Sequence, residues 1–335
     1  MSNNSFSAGA EKALAAIFSL SGPTLTDQEK KLFREANPFG FIIFARNCET
    51  PSQLSALTQD IKETLGRDCP ILIDQEGGRV QRLKPPHWRQ YKPMKYYGDL
   101  YEKDPEQALE ELRFETLRLA EELVDAGINV DCAPVLDISF AGAHDVIGDR
   151  AFSGDTDIVT RLGLSVCRHL LSAGITPIIK HIPGHGRARA DSHLELPHVE
   201  APKEHLNALD FDPFREVALS DVGPCIWAMT AHILYPALDS KRPASVSGQI
   251  IQQVIRRDIG FEGILVGDDL DMKALDSYGS ASEKAVISLN AGCDLALYCA
   301  GKTDIMEELV QNLPKITPET YKRLQIAENN GKVAA

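Results

Sequence analysis

A closed barrel of eight parallel strands, each followed by a helix, is the fold class this sequence predicts: an α/β chain forming a single (β/α)8, TIM-type barrel over residues 1–335. Three observations lead there. Short apolar runs recur eight times with amphipathic segments between them. Such alternation demands parallel strands, because each crossover helix returns the chain to the same edge, and eight units favour closure over an open sheet. No Gly-x-Gly-x-x-Gly follows the first run and no Pro- or Ser-rich linker divides the chain, which counts against a dinucleotide fold and a second domain.

The first run, AAIFSL (15–20), precedes the helical TDQEKKLFREAN, and FGFIIF (39–44) precedes SQLSALTQDIKETLG. PILI (70–73) leads through a polar loop to a long helical pattern from Pro105 to Ala126. There Leu109, Leu112, Leu119, Leu123 and Val124 fall on one broad apolar face. INVDCAPVLDI (128–138) precedes DIVTRLGLSVCRHLLSAG, and TPIIK (176–180) precedes a long loop and KEHLNALDFDPFREVAL. CIWAMT (225–230), GILVG (263–267) and CDLALY (293–298) complete the set, each followed by a helix candidate.

A formal net charge of −13 argues against broad binding to nucleic acid or anionic membrane but leaves room for a local basic pocket. Seven cysteines without a C-x-x-C pair fit reduced thiols. The N-terminal stretch lacks a basic leader region, and no run is long enough to span a bilayer. A cytoplasmic, soluble monomer is the expectation.

In barrels of this kind the active site forms at the carboxyl ends of the strands. There the sequence places Asp74, Gln75, Glu76, Arg79 and Arg82; then Asp137, with Asp149 and Arg150 on its long loop; then Lys180 and His181; Thr230 and His232; and Asp268, Asp269 and Asp271. This mixed acidic and basic rim suits a polyhydroxylated ligand. The competing reading is that such aspartates cap the next helix and that Gly77–Gly78 only makes a turn. His87, His144, His169, His198 and His205 read as surface or loop residues.

The loop KHIPGHGRARADSH (180–193) allows three chemistries. A metal site would use His181 and His185 with an aspartate, but no H-x-H pair exists and Lys180 would repel a cation. A phosphate cradle would use Gly184 and Gly186, but no helix N-terminus follows directly. A proton-transfer pair would use Asp191 and His193, which project to the same side if the loop is extended. The carboxylate then accepts from one imidazole nitrogen and leaves the other for a substrate. The same geometry also serves as a purely structural hydrogen bond.

DQEGGRVQR (74–82), GDRAF (148–152), KHIPGHG (180–186), ADSH (190–193), MTAHI (229–233) and GDDLDM (267–272) resemble, in order, the motifs of glycoside hydrolase family 3, most closely its compact bacterial β-N-acetylglucosaminidases. The resemblance spans about residues 10 to 300. It implies a retaining exo-hydrolase in which Asp268 is the nucleophile, His193 the acid/base and Asp191 its partner. Asp74, Arg82, Arg150, Lys180 and His181 would hold the terminal N-acetylglucosamine, and Lys180 and the arginines would help keep Asp268 ionised. The implied substrate is a muropeptide-derived disaccharide, N-acetylglucosaminyl-β-1,4-(1,6-anhydro-N-acetylmuramic acid), with or without peptide. Neither metal nor organic cofactor is required. Ile182 stands where the family has phenylalanine and Gly267 where serine commonly precedes the nucleophile, and the family's second domain is absent. A phosphorylase acting on the same sugars and a non-catalytic sugar-binding barrel are the alternatives. Gly184 and Gly186, lying between Lys180–His181 and Asp191–His193, are expected to let the loop swing over bound sugar.

Overall fold

A computed structural model describes residues 6–334, so residues 1–5 and 335 lie outside it, including the first residues of the stretch read for a leader and the ends of the 1–335 boundary. Eight parallel strands form the sheet: β1 (Leu14–Ser19), β2 (Pro38–Ile43), β3 (Ile71–Ile73), β4 (Val130–Asp131), β5 (Thr176–Ile182), β6 (Trp227–Thr230), β7 (Leu265–Val266) and β8 (Ala296–Tyr298). Their order, β7-β6-β5-β4-β3-β2-β1-β8, is sequential around the ring. A parallel bridge between Val266 and Leu295, with Gly267 N–H donating to the Leu295 carbonyl at 2.9 Å, brings the two ends together.

The strands are buried and mostly apolar because both faces are covered, with polar residues such as Asp131, Lys180, His181 and Thr230 toward their carboxyl ends. Phe39, Leu72, Val130, Ile178, Trp227 and Val266 pack inside the barrel, whereas Phe41, Ile73, Ile179 and Ala228 point outward against the helices. Trp227 lies against Phe6 and Phe39, with ring centroids 6.5 and 5.9 Å away, and so closes the amino-terminal mouth. The opposite mouth is left to polar side chains.

The outer ring consists of α1 (Asp27–Ala36), α2 (Pro51–Leu65), α3 (Met94–Tyr101), α4 (Pro105–Asp125), α5 (Thr156–Ser172), α6 (Lys203–His205), α7 (Asp212–Ala218), α8 (Ala281–Ala291), α9 (Thr303–Asn312) and α10 (Pro318–Ala334). Thr26, Thr50, Asp104, Asp155 and Ser280 supply the side-chain N-caps. Asp74, Asp137 and Asp268 cap none of these helices, which removes the bland reading of the strand-end aspartates.

Four details differ from expectation. β4 is only two residues long, and the run through Ile138 continues as an irregular segment held by a bridge from Val135 to Lys180. α3 was not foreseen in the polar loop after β3. The helix after β6 is π-helical, Ile250–Asp258. In α4, Leu112, Leu119 and Leu123 are buried as expected and Leu109 is half-buried, but Val124 is 45% exposed, because the buried stripe is narrower than the apolar sequence face.

Candidate active site

At the carboxyl-terminal mouth lies a cavity of about 400 Å³, and all eight residues expected in catalytic or sugar-binding roles line it: Asp74, Arg82, Arg150, Lys180, His181, Asp191, His193 and Asp268. Gln75, Asp137, Asp149, Thr230, His232 and Asp271 of the strand-end rim do not. That volume is ordinary for a small-molecule site. Its base is a chain of alternating charges. Arg82 Nη2 donates to Asp74 Oδ2 at 2.8 Å, and Lys180 Nζ to Asp74 Oδ1 at 2.8 Å. Lys180 also pairs with Glu76 Oε1 at 2.6 Å, and Arg150 grips both Glu76 oxygens at 2.8 Å.

Burial alone would neutralise these carboxyls, but Lys180 and Arg82 overcome it at Asp74 and hold that group well below the usual range. At Glu76 burial is likewise outweighed, by Arg150 and Lys180, which bring the carboxyl to about 2. Burial disfavours the Lys180 ammonium too, yet Asp74 and Glu76 raise its pKa overall. The cations therefore stay charged and presented in fixed positions to the cavity.

Adjacent strand residues ordinarily point to opposite faces. Lys180 and His181 nevertheless both reach the cavity, because the β5/β6 register shifts between Lys180 and Ile182. The Lys180–His181 peptide is cis. His181 Nδ1–H donates to Asp137 Oδ2 at 2.7 Å, so Nε2 is an acceptor at the cavity, 3.5 Å from Arg150 Nη2. The same carboxylate accepts the backbone N–H of His181 and, at 2.6 Å, that of His185.

Across the cavity, Asp268 follows β7. Burial would raise its pKa, but His232, then His181 and the Asp269 N–H, bring it below the ordinary value. Lys180 and the arginines, expected to do this, are committed to Asp74 and Glu76. The next acid differs: burial pushes Asp269 up to about 6, and its Oδ1 accepts the N–H groups of Asp271 and Cys299 at 3.2 and 3.0 Å. Asp271 is exposed. Of the two acids of GDDLD that line the cavity, Asp268 has its pKa held below the ordinary value and Asp269 has it raised.

His193 Nδ1–H donates to Asp191 Oδ1 at 2.8 Å, and the His193 backbone N–H donates to the same oxygen at 2.9 Å. The segment is a turn, not the extended loop the spacing suggested: the N–H groups of Leu194 and Glu195 both reach the Asp191 carbonyl. The pair forms all the same, because an aspartate readily bonds the backbone two residues on. Burial opposes the Asp191 charge, but these two bonds lower its pKa overall. The His193 side chain is 64% exposed at the rim.

Gly184 and Gly186, expected as a hinge, are closely packed in this structure. A Cβ at Gly186 would sit 1.8 Å from the Ile138 carbonyl oxygen, and at Gly184 3.0 Å from Asp210 Cβ. Both glycines permit close packing of a buried stretch. Sequence reasoning missed Glu76 and Asp137 as site residues although it placed both at strand ends. It also missed His232, whose Nε2–H donates to the Asp269 carbonyl at 3.0 Å while Nδ1 accepts from Ser245 Oγ at 2.6 Å, fixing the backbone beside Asp268. His144, read as a loop residue, lines the cavity rim. Among the described residues there is no group of three side chains able to hold a metal ion.

Comparison with known proteins agrees with this fold. The chain is 37% identical to a β-hexosaminidase of Methylobacillus flagellatus over 292 residues, 87% of this chain and 82% of the relative. It is 38% identical to a β-hexosaminidase of Neisseria meningitidis serogroup C over 315 residues, 93% and 85% of the two chains. The crystal structure of NagZ from Neisseria gonorrhoeae in complex with N-trifluoroacetyl-D-glucosamine superposes with a TM-score of 0.86 at 32% identity, covering 96% of this chain and 93% of that one. The model of the glycosyl hydrolase family 3 N-terminal domain matches residues 14–328, and the chain belongs to glycosyl hydrolase family 3.

Proposed function

We propose that this glycoside hydrolase of the β-N-acetylhexosaminidase type releases terminal β-1,4-linked N-acetylglucosamine from 1,6-anhydro-N-acetylmuramic acid, with or without peptide, in cell-wall recycling in the cytoplasm. It works as a monomer whose residues 1–335 form one domain. The observation that carries the reading is the facing of two devices across one cavity: an ionised, partly buried Asp268 and the Asp191–His193 pair. A bound N-acylated glucosamine in the gonococcal relative supports the same sugar class here.

Many retaining glycosidases pair two carboxylic acids, one as nucleophile and one as acid/base. In this chain the Asp191–His193 pair takes the place of the second. Asp74, Arg82, Arg150, Lys180 and His181 hold the hydroxyls of the terminal sugar through charge-assisted bonds. Asp268 attacks the anomeric carbon while His193 Nε2–H protonates the departing glycosidic oxygen, giving a glycosyl ester and neutral imidazole. The imidazole then takes a proton from water, whose oxygen displaces Asp268 and frees the sugar with its β configuration retained. Imidazole suits both halves because the same ring nitrogen can give up a proton and take one back. Acid–base help of this kind typically gives about 10²–10⁴ in rate.

The test is turnover of the natural disaccharide with and without inorganic phosphate, following product configuration by NMR. A rate indifferent to phosphate and β-N-acetylglucosamine as first product are expected. A sugar 1-phosphate, an inverted product or no turnover would each defeat the proposal.

A further inference from the structure

The loop carrying the acid/base pair is pinned to the barrel through the residue between its two members. We propose that Ser192 and His185 form a clasp that positions the Asp191–His193 pair, and that Asp137 joins this clasp to the sugar-binding His181. The inference rests on the reading of His193 as acid/base given above.

His193 is largely exposed, yet Ser192 beside it is 2% exposed. Its Oγ lies 3.2 Å from His185 Nε2, and its carbonyl accepts the Ala274 N–H at 3.2 Å from the segment that follows the nucleophile's strand. Ser192 is thus held between the ends of β5 and β7, the two strands that supply the sugar-binding pair and Asp268. His185 is 3% exposed, its backbone N–H is bound by Asp137, and its ring packs edge-on to that of His181 with centroids 5.4 Å apart.

Burial drives His185 down to about 4, so it is neutral at working pH and carries one ring proton. Its Nδ1 has no partner among the described residues. A buried orphan acceptor is tolerated better than a buried orphan N–H, so the proton sits on Nε2 and is donated to Ser192 Oγ. The stretch from His185 to Ala188 is itself fixed: Gly186 abuts the Ile138 carbonyl, and the His144 N–H holds the Ala188 carbonyl at 2.8 Å. Arg189 and Ala190 alone separate this stretch from Asp191.

An acid on a turn at the rim must arrive close to one oxygen, and a misplacement of about 1 Å can cost on the order of 10²-fold. The clasp supplies that placement from the cavity wall, which Ser192 and His185 both line while bonded to each other. Ser192 and His185 are accordingly positioning residues. Asp137, gripping His181 and His185 with one carboxylate, ties occupancy of the sugar site to the seat of the acid.

The experiment compares kcat/KM for the natural disaccharide and for 2,4-dinitrophenyl N-acetylglucosaminide, whose leaving group needs little protonation. Ser192→Ala should lower the disaccharide value about 10-fold or more, part of what acid catalysis supplies, and the aryl value by less than about threefold. N-acetylglucosamine should inhibit the variant as it inhibits the parent, and Ser192→Thr should restore the disaccharide rate. Ser192→Cys, nearly isosteric and weakly hydrogen-bonding, must behave as alanine does and takes its place if the alanine variant does not fold. Equal losses on both substrates, or no loss on either, overturn the clasp. His193→Ala is measured beside it. If His193→Ala shows no leaving-group dependence, the acid/base reading falls and the clasp with it. If His193→Ala shows that dependence and the Ser192 variants do not, the clasp alone is wrong.

Discussion

Glu76 receives Arg150 on both oxygens and Lys180 on one, with its side chain 1% exposed. Glu76→Gln keeps the shape and removes the charge that compensates two buried cations. Breaking a buried pair in this way typically costs about 3–5 kcal/mol. The denaturant midpoint should therefore fall measurably, and KM should rise more than kcat falls, because Lys180 and Arg150 lose their fixed positions. A variant as stable as the parent with unchanged KM would refute that role. The acids of GDDLD make a second test at this scale. Asp268→Asn should reduce turnover on the order of 10⁴-fold or more, as loss of one member of a catalytic unit can, while sugar binding by calorimetry persists. Asp269→Asn should keep most turnover, since its carboxyl serves the N–H groups of Asp271 and Cys299. Their place at the strand end displayed all three acids equally, and only the motif resemblance picked out Asp268. What separates them is burial and neighbouring dipoles, which belong to the folded chain.

At the scale of elements, the strands were legible because a strand buried on both faces is an uninterrupted apolar run, and FGFIIF or TPIIK can hardly be anything else. The connections were less so. The turn at Asp191–His193 is local, held by the Leu194 and Glu195 N–H groups, but the seat of Ser192 depends also on Ala274, more than eighty positions downstream, and leaves no periodic trace. The glycines of the KHIPGHG stretch signalled a special backbone correctly but not its purpose. At Gly186 that purpose is contact with the Ile138 carbonyl, so Gly186→Ala should destabilise the fold and disturb Asp137 next to it. Chemical denaturation should register a loss in the range of about 1–3 kcal/mol expected for overpacking. Unchanged stability with slowed loop motion would instead restore the hinge.

For the whole molecule, the barrel's closure confines the polar chemistry to one mouth, while Trp227 and its aromatic neighbours fill the other. The (β/α)8 architecture could therefore be read from strand order, and Asp74, Arg82, Arg150, Lys180, His181 and Asp268 from strand ends and the loops after them. Asp191 and His193 were picked out by the motif resemblance, and the coupling between these residues was not legible. Stability against pH carries the site's signature. Asp74, Glu76, Asp137, Asp191 and Asp268 have depressed pKa values in the fold. Their contribution is complete above the unfolded carboxyl range near 4 and is lost as pH falls below it. Asp210 has the opposite sign: burial raises it to about 6 despite Arg187, so its contribution is lost as pH rises from about 4 through 6. The melting temperature should drop steeply below about pH 4. The difference between Asp210→Asn and the parent should shift in favour of the variant between about pH 4 and 6. A difference that is flat across that window would contradict the assignment.

The central claim, double displacement at Asp268, is tested most directly by trapping the glycosyl-enzyme. A 5-fluoro glycosyl fluoride of N-acetylglucosamine, which slows release, should add one sugar mass to the protein. Proteolysis and tandem mass spectrometry should place that mass on Asp268. A label on Asp269 or Asp271, or no label together with an inverted product, would contradict the account.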